Sequence, residues 1–352
     1  MMQAPRTVFP FAVAVQATRF TPTGTVPVVT QRFAVHVVRP GSEVGCTGVV
    51  APAARVAGVF AGADFTAAIA QFLVVWLACR SWQMLAAQCG LYSFGHAVFV
   101  GTGAYAAVWT LHWLGDRVSG AWLLAVPAVG AVAGGICAGV VGLAAARTRG
   151  TTFAMLTFGL GELVHLLAQA VPVWFGGESG IGADRALGQF ASHGFGFATP
   201  SALSVLLGVW VAIGLAWCAR VEGSALGLAM RLVRDQPVRA EALGLDAVQV
   251  RRRALVCAGV AAGVAGALLA LLFEVATPES LATQRSLGWM MAVLIGGVAS
   301  PWGAALGAAI QVVFAQVLGL HFASWQLWYG LLFVLVMLVR PGGVTHWRKG
   351  AA

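Results

Sequence analysis

Residues 286–339 read SLGWMMAVLIGGVASPWGAALGAAIQVVFAQVLGLHFASWQLWYGLLFVLVMLV, with no Asp, Glu, Lys or Arg between Arg285 and Arg340. A single helix of these 54 residues would extend about 80 Å at about 1.5 Å per residue. The hydrocarbon core of a bilayer is about 30 Å thick and is crossed by about 20 helical residues. The segment must therefore turn back at least once, which predicts a membrane fold with several spans.

The composition of the whole chain supports this fold class. Of its 352 residues, 59% are hydrophobic and 9% are charged, against about 25% charged residues in a typical soluble domain. We expect an all-α polytopic membrane protein with about eight transmembrane helices. The spans are predicted at about 65–84, 90–114, 121–145, 152–174, 201–218 and 254–276, then at 288–318 as one broken or re-entrant element, and at 325–340.

Charge and motif content exclude several functions. The net charge is +9, but a basic surplus in a membrane protein usually lies in cytoplasmic loops, so no nucleic-acid partner is expected. The one lysine, Lys349, precedes Gly350 and does not belong to a phosphate-binding loop. The six cysteines lack C-x-x-C spacing, and we expect neither a metal centre nor catalytic residues. These features favour a protein that is not an enzyme.

The chain divides into three regions. Residues 1–60 contain five arginines and no apolar stretch of spanning length, so they are either a disordered extension or the product of a start codon placed too far upstream. Residues 61–345 form the transmembrane domain, and residues 346–352 are a cytoplasmic tail. Within the apolar runs Gly259 and Gly263 are four residues apart, a spacing typical of close helix packing in lipid.

Arginine counts predict the orientation. Loop 219–253 holds seven arginines and should be cytoplasmic, whereas loop 175–200 holds one arginine and two acids and should face outside. Span 254–276 then runs outward. If the tail is cytoplasmic, segment 288–318 must enter and leave the membrane by the same side. The sequence GGVASPWG at 296–303 could break the helix, either near a transport path or as an ordinary loop between two full spans.

Residues 225–253 form the segment expected on the cytoplasmic surface. Pro237 suits the first turn of a short helix and Gly244 suits its end, while Asp246 can cap the following span. A helix of roughly seven residues tied to two spans could receive force from a separate cytosolic protein. The alternative is a solvated loop with charges at i,i+4 spacing.

Residues 92–105, YSFGHAVFVGTGAY, resemble the L-S-x-G-H-A-x-F-x-G-x-G-A-Y signature of LivM-type permeases, which are subunits of branched-chain amino-acid ABC transporters. Further blocks at 149–162, 176–181, 240–246 and 294–307 resemble the family in the same order, and the LVRPGG close resembles its R-P-x-G-L ending. The resemblance covers about residues 65–345. Two departures are the lack of a span in the first 60 residues and Ser179 where the family often has Asn.

This resemblance implies the ABC importer permease fold and a multi-pass protein of the bacterial inner membrane. The implied partners are a second, LivH-type permease, two cytosolic ATPase subunits and a periplasmic substrate-binding protein. ATP would be used by the ATPase subunits, with no cofactor bound directly. The implied substrates are branched-chain or other hydrophobic amino acids, with urea, short amides or aromatic acids as alternatives. An ion-coupled secondary transporter is the alternative of another class, and would be expected to carry paired intramembrane acids or an inverted repeat.

The resemblance also assigns candidate site residues. The segment that docks with the ATPase would comprise Arg231, Arg234, Asp235, Ala240, Glu241, Ala242 and Gly244. The glycine-rich stretches and one buried acid give a candidate translocation path of Gly95, His96, Phe99, Gly101, Gly103, Glu162, Gly296 and Gly297. For Glu162 we favour a structural or gating contact over a proton relay, and for His96 a packing or hydrogen-bonding role over metal ligation.

Overall fold

The computed structural model describes residues 63–114, 124–182, 200–319, 322 and 324–345. These residues all belong to one compact unit, Val49–Ala352. The predicted N-terminal extension, 1–60, and the predicted tail, 346–352, lie outside the described residues.

The structure confirms an all-α fold. In chain order the described helices are α1 (Ala63–Cys89), α2 (His96–Leu114), α3 (Val126–Ala145), α4 (Gly150–Ala170), α5 (Pro172–Phe175), α6 (Pro200–Gly223), α7 (Ala225–Asp235), α8 (Pro237–Ala242), α9 (Ala247–Phe273), α10 (Thr283–Gly296), α11 (Gly303–Val313) and α12 (Trp325–Val339). Two strands of two residues each, β1 (Ile181–Gly182) and β2 (Val275–Ala276), pair antiparallel. Five of the helices, α1, α3, α4, α6 and α9, are long and apolar enough to cross a membrane.

Some helix ends differ from the predicted spans. The helix predicted at 152–174 ends at Ala170, because Pro172 has no backbone N–H and starts the separate α5. The span predicted from 254 begins at Ala247, since Asp246 caps the helix and the arginines at 251–253 form part of it. Apolar content alone therefore located the membrane-embedded part of α9 but not its true start.

Helix α9 forms the centre of the bundle, where it packs against α1, α2, α3 and α6. Glycines allow the closest approaches. A Cβ on Gly263 would overlap the carbonyl of Gly130 on α3, and a Cβ on Gly103 of α2 would overlap the carbonyl of Gly263. Because lipid supplies little hydrophobic drive for helix association, this close van der Waals contact is a main source of cohesion.

The break predicted in segment 288–318 is present. Helix α10 ends at Gly296 and α11 begins at Gly303, and Gly297 between them has φ +108°, which favours glycine. The two helices pack on each other as a hairpin, with Gly296 against the backbone of Gly303 and Gly307. The arms have 14 and 11 residues, and a π-helical turn (Phe314–Leu318) follows α11. Both arms are shorter than the about 20 residues of a full span, which favours a broken element over two full spans.

Contacts with α1 orient the hairpin. We define the coupling end as the end of the bundle where α7 and α8 lie, next to the last residues of α1. The tip of the hairpin, 297–302, contacts Gln83 toward that end, whereas Gln316 donates a hydrogen bond of 2.6 Å to Gln71 in the opposite half of α1. The turn that follows the second arm therefore lies away from the coupling end, and entry and exit of the whole segment by one side stays a prediction.

The glycine seam makes a testable prediction. Gly263→Ala should destabilise the bundle by about 1–3 kcal/mol, the scale of overpacking substitutions, since its methyl group would meet the Gly130 carbonyl. Thermal unfolding of the purified chain in detergent measures the effect. Gly208→Ala is the matched control, because nothing lies within 4 Å of a Cβ at Gly208 on α6. Equal melting temperatures for the two variants would contradict the close packing of α9 and α3.

Candidate coupling segment and transport path

Helix α7 joins the bundle through one apolar face. Met230 and Val233 are buried, with exposed fractions of 1% and 4%, whereas Asp235 at the end of the helix is exposed. The helix packs against α1, α6 and α9. This amphipathic pattern fixes α7 to the coupling end of the bundle.

The two arginines predicted for docking connect α7 to α1. Arg231 donates from Nη1 to Gln88 Oε1 at 3.0 Å and to the Glu222 carbonyl at 3.4 Å. Arg234 donates to the carbonyl of Ala87 and makes two hydrogen bonds to Asp235, at 2.7 Å and 3.0 Å. The hydrogen bonds from the Arg234 guanidinium hold the pKa of the Asp235 carboxyl below its usual value. In the isolated chain these arginines therefore anchor the segment to the bundle.

The short helix predicted at Pro237 is α8, which has six residues and is followed by Gly244 at φ +76°. Its exposed surface includes Glu241, which pairs with Arg149 of the α3–α4 turn at 3.4 Å. Of the other residues predicted for docking, Ala240 is buried against the bundle, whereas Ala242 and Gly244 are exposed.

Two apolar residues that the sequence analysis did not select dominate this surface. Val238 is 80% exposed and Leu243 is 71% exposed. The sequence contained a signal that could have identified them as interface residues, because both are large apolar residues in a cytoplasmic-type loop with seven arginines. Together with the exposed Glu241 and Arg149, they give the coupling end both apolar and charged exposed side chains, as protein interfaces have.

Asp246 fixes the start of α9 directly behind this surface. Its carboxylate accepts hydrogen bonds from the backbone N–H groups of Val248, at 2.8 Å, and Gln249, at 3.3 Å. These bonds hold the pKa of the Asp246 carboxyl below its usual value. Since α8 and α9 are joined by only four residues, 243–246, a displacement of α8 is passed directly to the central helix of the bundle.

The glycines predicted for the translocation path lie at helix contacts. A Cβ on Gly95 would overlap the Thr157 carbonyl on α4, and one on Gly101 would overlap Leu281. Gly103 and Gly296 make the backbone contacts given above, and Gly297 is at the hairpin tip. Phe99 is buried, and its ring packs nearly perpendicular to the His96 ring, with the centroids 5.4 Å apart and the planes at 78°. The assignment of these residues to a path stays a prediction.

His96 is fully buried and takes part in a defined hydrogen bond. Its Nε2 lies 2.9 Å from Ser81 Oγ, and the Ser81 hydroxyl donates to the Ala78 carbonyl. His96 Nδ1 is also buried and has no hydrogen-bond partner among the described residues. Among the described residues no group of three or more His, Cys, Asp or Glu side chains is placed to hold a metal ion. The geometry matches the hydrogen-bonding interpretation of His96.

Glu162 belongs to a polar stripe on α4. Thr283 donates to Glu162 Oε2 at 3.2 Å, His165 Nδ1 lies 2.9 Å from the Pro278 carbonyl, and Gln169 Nε2 lies 3.2 Å from His165 Nε2. Glu162 thus makes a polar contact with the start of α10, while its role in gating stays a prediction.

A buried polar chain was not foreseen from the sequence. Arg80 and Glu222 form an ion pair of 2.6 Å, and Arg80 also donates to Gln83 Oε1 at 3.0 Å. Gln83 Nε2 in turn donates to the carbonyls of Val298 at 3.0 Å and Ser300 at 2.6 Å. Arg80 lies inside the predicted span 65–84, and a charge placed there is a signal for a buried partner.

Comparisons with known proteins agree with this architecture. Residues 65–340 match the model of a family described as branched-chain amino acid transport system / permease component. The chain is 27% identical over 276 residues to each of two proteins named high-affinity branched-chain amino acid transport system permease protein LivM, from Salmonella typhimurium and Escherichia coli K12. These alignments cover 72% of this chain and 64% of each relative.

A second type of permease is also similar. The chain is 26% identical over 183 residues to a probable branched-chain amino acid transport permease protein LivH of Methanocaldococcus jannaschii, which covers 48% of this chain and 57% of that protein. No solved structure matches. Because the family model spans most of the chain, from α1 through α12, this protein belongs to the family of branched-chain amino acid transport system permease components.

Proposed function

We propose that this chain is a transmembrane permease subunit of an ATP-driven importer for branched-chain or other hydrophobic amino acids. The observation that carries the proposal is the exposed surface of α8 and Leu243 at the coupling end, in a chain of this family. A surface with exposed apolar side chains, on a helix that packs against α7 and α9, suits a docking site for a separate protein. Neither the chain's single lysine nor its glycines form a phosphate-binding loop, so hydrolysis would take place on the partner.

The substrate proposal rests on the names of the relatives. Two relatives are named as permeases of high-affinity branched-chain amino acid transport, which makes leucine, isoleucine and valine the first substrates to test. Urea, short amides and aromatic acids are the alternatives. Competition of each compound against labelled leucine uptake separates these possibilities.

The partners and location follow from the same relatives. We infer two cytosolic ATPase subunits at the coupling end and a periplasmic binding protein at the opposite end, in the inner membrane of a bacterium. The similarity to both LivM and LivH proteins supports a second, related permease beside this chain. The chain itself would bind no cofactor and carry out no catalysis.

An ion-coupled secondary transporter is the competing function. Two described acids of the long helices have polar partners other than acids: Glu162 accepts from Thr283, and Glu222 pairs with Arg80. The importer should continue uptake in the presence of a protonophore as long as ATP is maintained, and should stop when ATP is depleted. Uptake that stops with the protonophore at constant ATP would overturn the importer assignment.

The backbone at Gly244 gives a prediction about coupling. Gly244→Val should reduce ATP-dependent uptake strongly while leaving membrane insertion intact, because φ +76° is strained for a β-branched residue although no atom lies within 4 Å of a Cβ there. Gly244→Asn is the matched control, since Asn tolerates this conformation, and it should retain most uptake. Uptake and insertion are measured in membrane vesicles. Normal uptake by the Val variant would contradict the role of this turn.

The exposed apolar centre gives a second prediction. Leu243→Asp should weaken binding of the ATPase about tenfold or more, equivalent to at least about 1.4 kcal/mol, because it places a charge at the centre of the interface. The fold should be unaffected, since this side chain is 71% exposed. Leu243→Met preserves the apolar contact and serves as the control. Copurification and titration of the ATPase measure the effect, and equal affinities for the two variants would exclude Leu243 from the interface.

A further inference from the structure

The buried polar chain described above connects two parts of the molecule that do not share a helix. At one end Glu222 lies in the last turn of α6, directly before α7. At the other end the carbonyls of Val298 and Ser300 belong to the tip of the α10–α11 hairpin. Arg80 and Gln83, one turn apart on α1, form the link between them.

Arg80 and Gln83 are each held by more than one bond, whereas the Glu222 carboxylate is bound through Oε2 alone. Arg80 donates from one terminal nitrogen to Glu222 and from the other to Gln83. The Gln83 amide then uses its oxygen for Arg80 and its nitrogen for the hairpin tip. Gln83 is 1% exposed and Arg80 is 8% exposed. An ion pair removed from water is only weakly screened, so a shift of Glu222 changes the position of Arg80 directly.

The buried polar chain of Glu222, Arg80 and Gln83 is also connected to α7, in the docking segment. Arg231 of α7 donates to the backbone carbonyl of Glu222 at 3.4 Å and to Gln88 of α1 at 3.0 Å. The main packing partners of α7 are α1, α6, α8 and α9, whereas the hairpin packs mainly on itself and on α1. The side-chain route through Arg80 and Gln83 is therefore a short physical connection between the docking segment and the hairpin.

The hairpin tip combines an exposed side chain with a small number of described anchors. Gly297 carries a backbone conformation that favours glycine, and Trp302 is 68% exposed. Besides Gln83, a further anchor is the hydrogen bond of 2.7 Å from Thr345 Oγ1 to the Gly296 carbonyl. Of the carbonyls that Gln83 binds, that of Ser300 also accepts from the Gly303 N–H at 2.8 Å, so Gln83 reaches the tip where α11 begins.

We propose that Gln83 is a positioning residue that transmits movement of the docking segment, through Glu222 and Arg80, to the tip of the α10–α11 hairpin. This inference rests on the proposed importer function and adds the route by which ATPase closure reaches the membrane-embedded part. The hairpin tip changes its exposure when the ATPase subunits bind and hydrolyse ATP. Gln83 contacts no substrate in this role.

The test uses the complete importer reconstituted in vesicles, with a cysteine introduced at the exposed tip residue Ala299. The rate at which a membrane-impermeant maleimide labels this cysteine is measured with and without ATP and vanadate, after subtraction of the labelling of the parent chain. In the importer that carries only the cysteine at Ala299, ATP and vanadate should change the labelling rate about fivefold or more. This lies within the usual ~5–150-fold range of allosteric coupling. Gln83→Leu should abolish the change and lower the amount of substrate imported per ATP hydrolysed.

Three further variants separate transmission from simple stabilisation. Gln83→Glu keeps an acceptor for Arg80 but has no N–H for the tip carbonyls, so it should behave as Gln83→Leu does. Glu222→Gln combined with Gln83→Leu should be no worse than the single changes, because both interrupt one route. Gln71→Leu is the matched control: it removes the hydrogen bond that Gln71 of α1 accepts from Gln316, in the π-helical turn after α11, and should leave the rate change intact.

The outcomes distinguish an error in the route through Gln83 from an error in the proposed importer function. If the wild-type importer takes up substrate with ATP but Gln83→Leu and Gln83→Glu respond to nucleotide as the wild type does, the route through Gln83 is wrong and the importer assignment stands. Loss of the response in Gln71→Leu as well would make Gln83 a structural residue only. A wild-type complex without ATP-dependent uptake would overturn the importer function and, with it, this inference.

Discussion

The lack of water in the hydrocarbon core is the constraint on which this structure depends. Every backbone N–H and C=O there must be bonded within the protein, so the chain crosses as helices and can leave the helical ladder only where other groups replace the lost bonds. Two interruptions, at 90–95 and 297–302, show how this is done. The Trp82 indole donates to the Ser93 carbonyl, Phe94 N–H donates to Thr157 Oγ1, and Gln83 binds the carbonyls of the hairpin tip.

This constraint explains why so much of the fold could be predicted. Apolar length alone located the spans, and Gly296, Gly297 and Pro301 were sufficient to predict the break between α10 and α11. The arginine count separated loop 219–253 from loop 175–200. The short helix predicted at Pro237 is present, and its turn at Gly244 has the positive φ that suits a glycine there, while its docking role stays a prediction.

The remaining features depend on contacts between distant residues. The four-residue spacing of Gly259 and Gly263 indicated close packing, but only the three-dimensional register shows that Gly263 meets Gly130 and Gly103. Likewise Arg80 and Glu222 are 142 positions apart, and nothing in the spacing of either residue indicates the other. The glycines predicted for a path lie at helix contacts in this chain, because small residues serve both close packing and cavity lining and sequence alone does not separate these roles.

The docking segment shows most clearly what periodicity determines and what it leaves open. Arg231 and Arg234 were assigned to the partner interface, yet both reach back to the last turn of α1, while Val238 and Leu243 face outward. The two kinds of side chain have different roles. The long arginine side chains reach the final carbonyls of a neighbouring helix, whereas the apolar side chains can be covered by a partner without leaving a polar group unbonded. A segment built in this way is rigid toward the bundle and complementary toward a partner. In the proposed importer, force applied at Leu243 would be delivered to α1, α6 and α9 together, and through α1 to the hairpin.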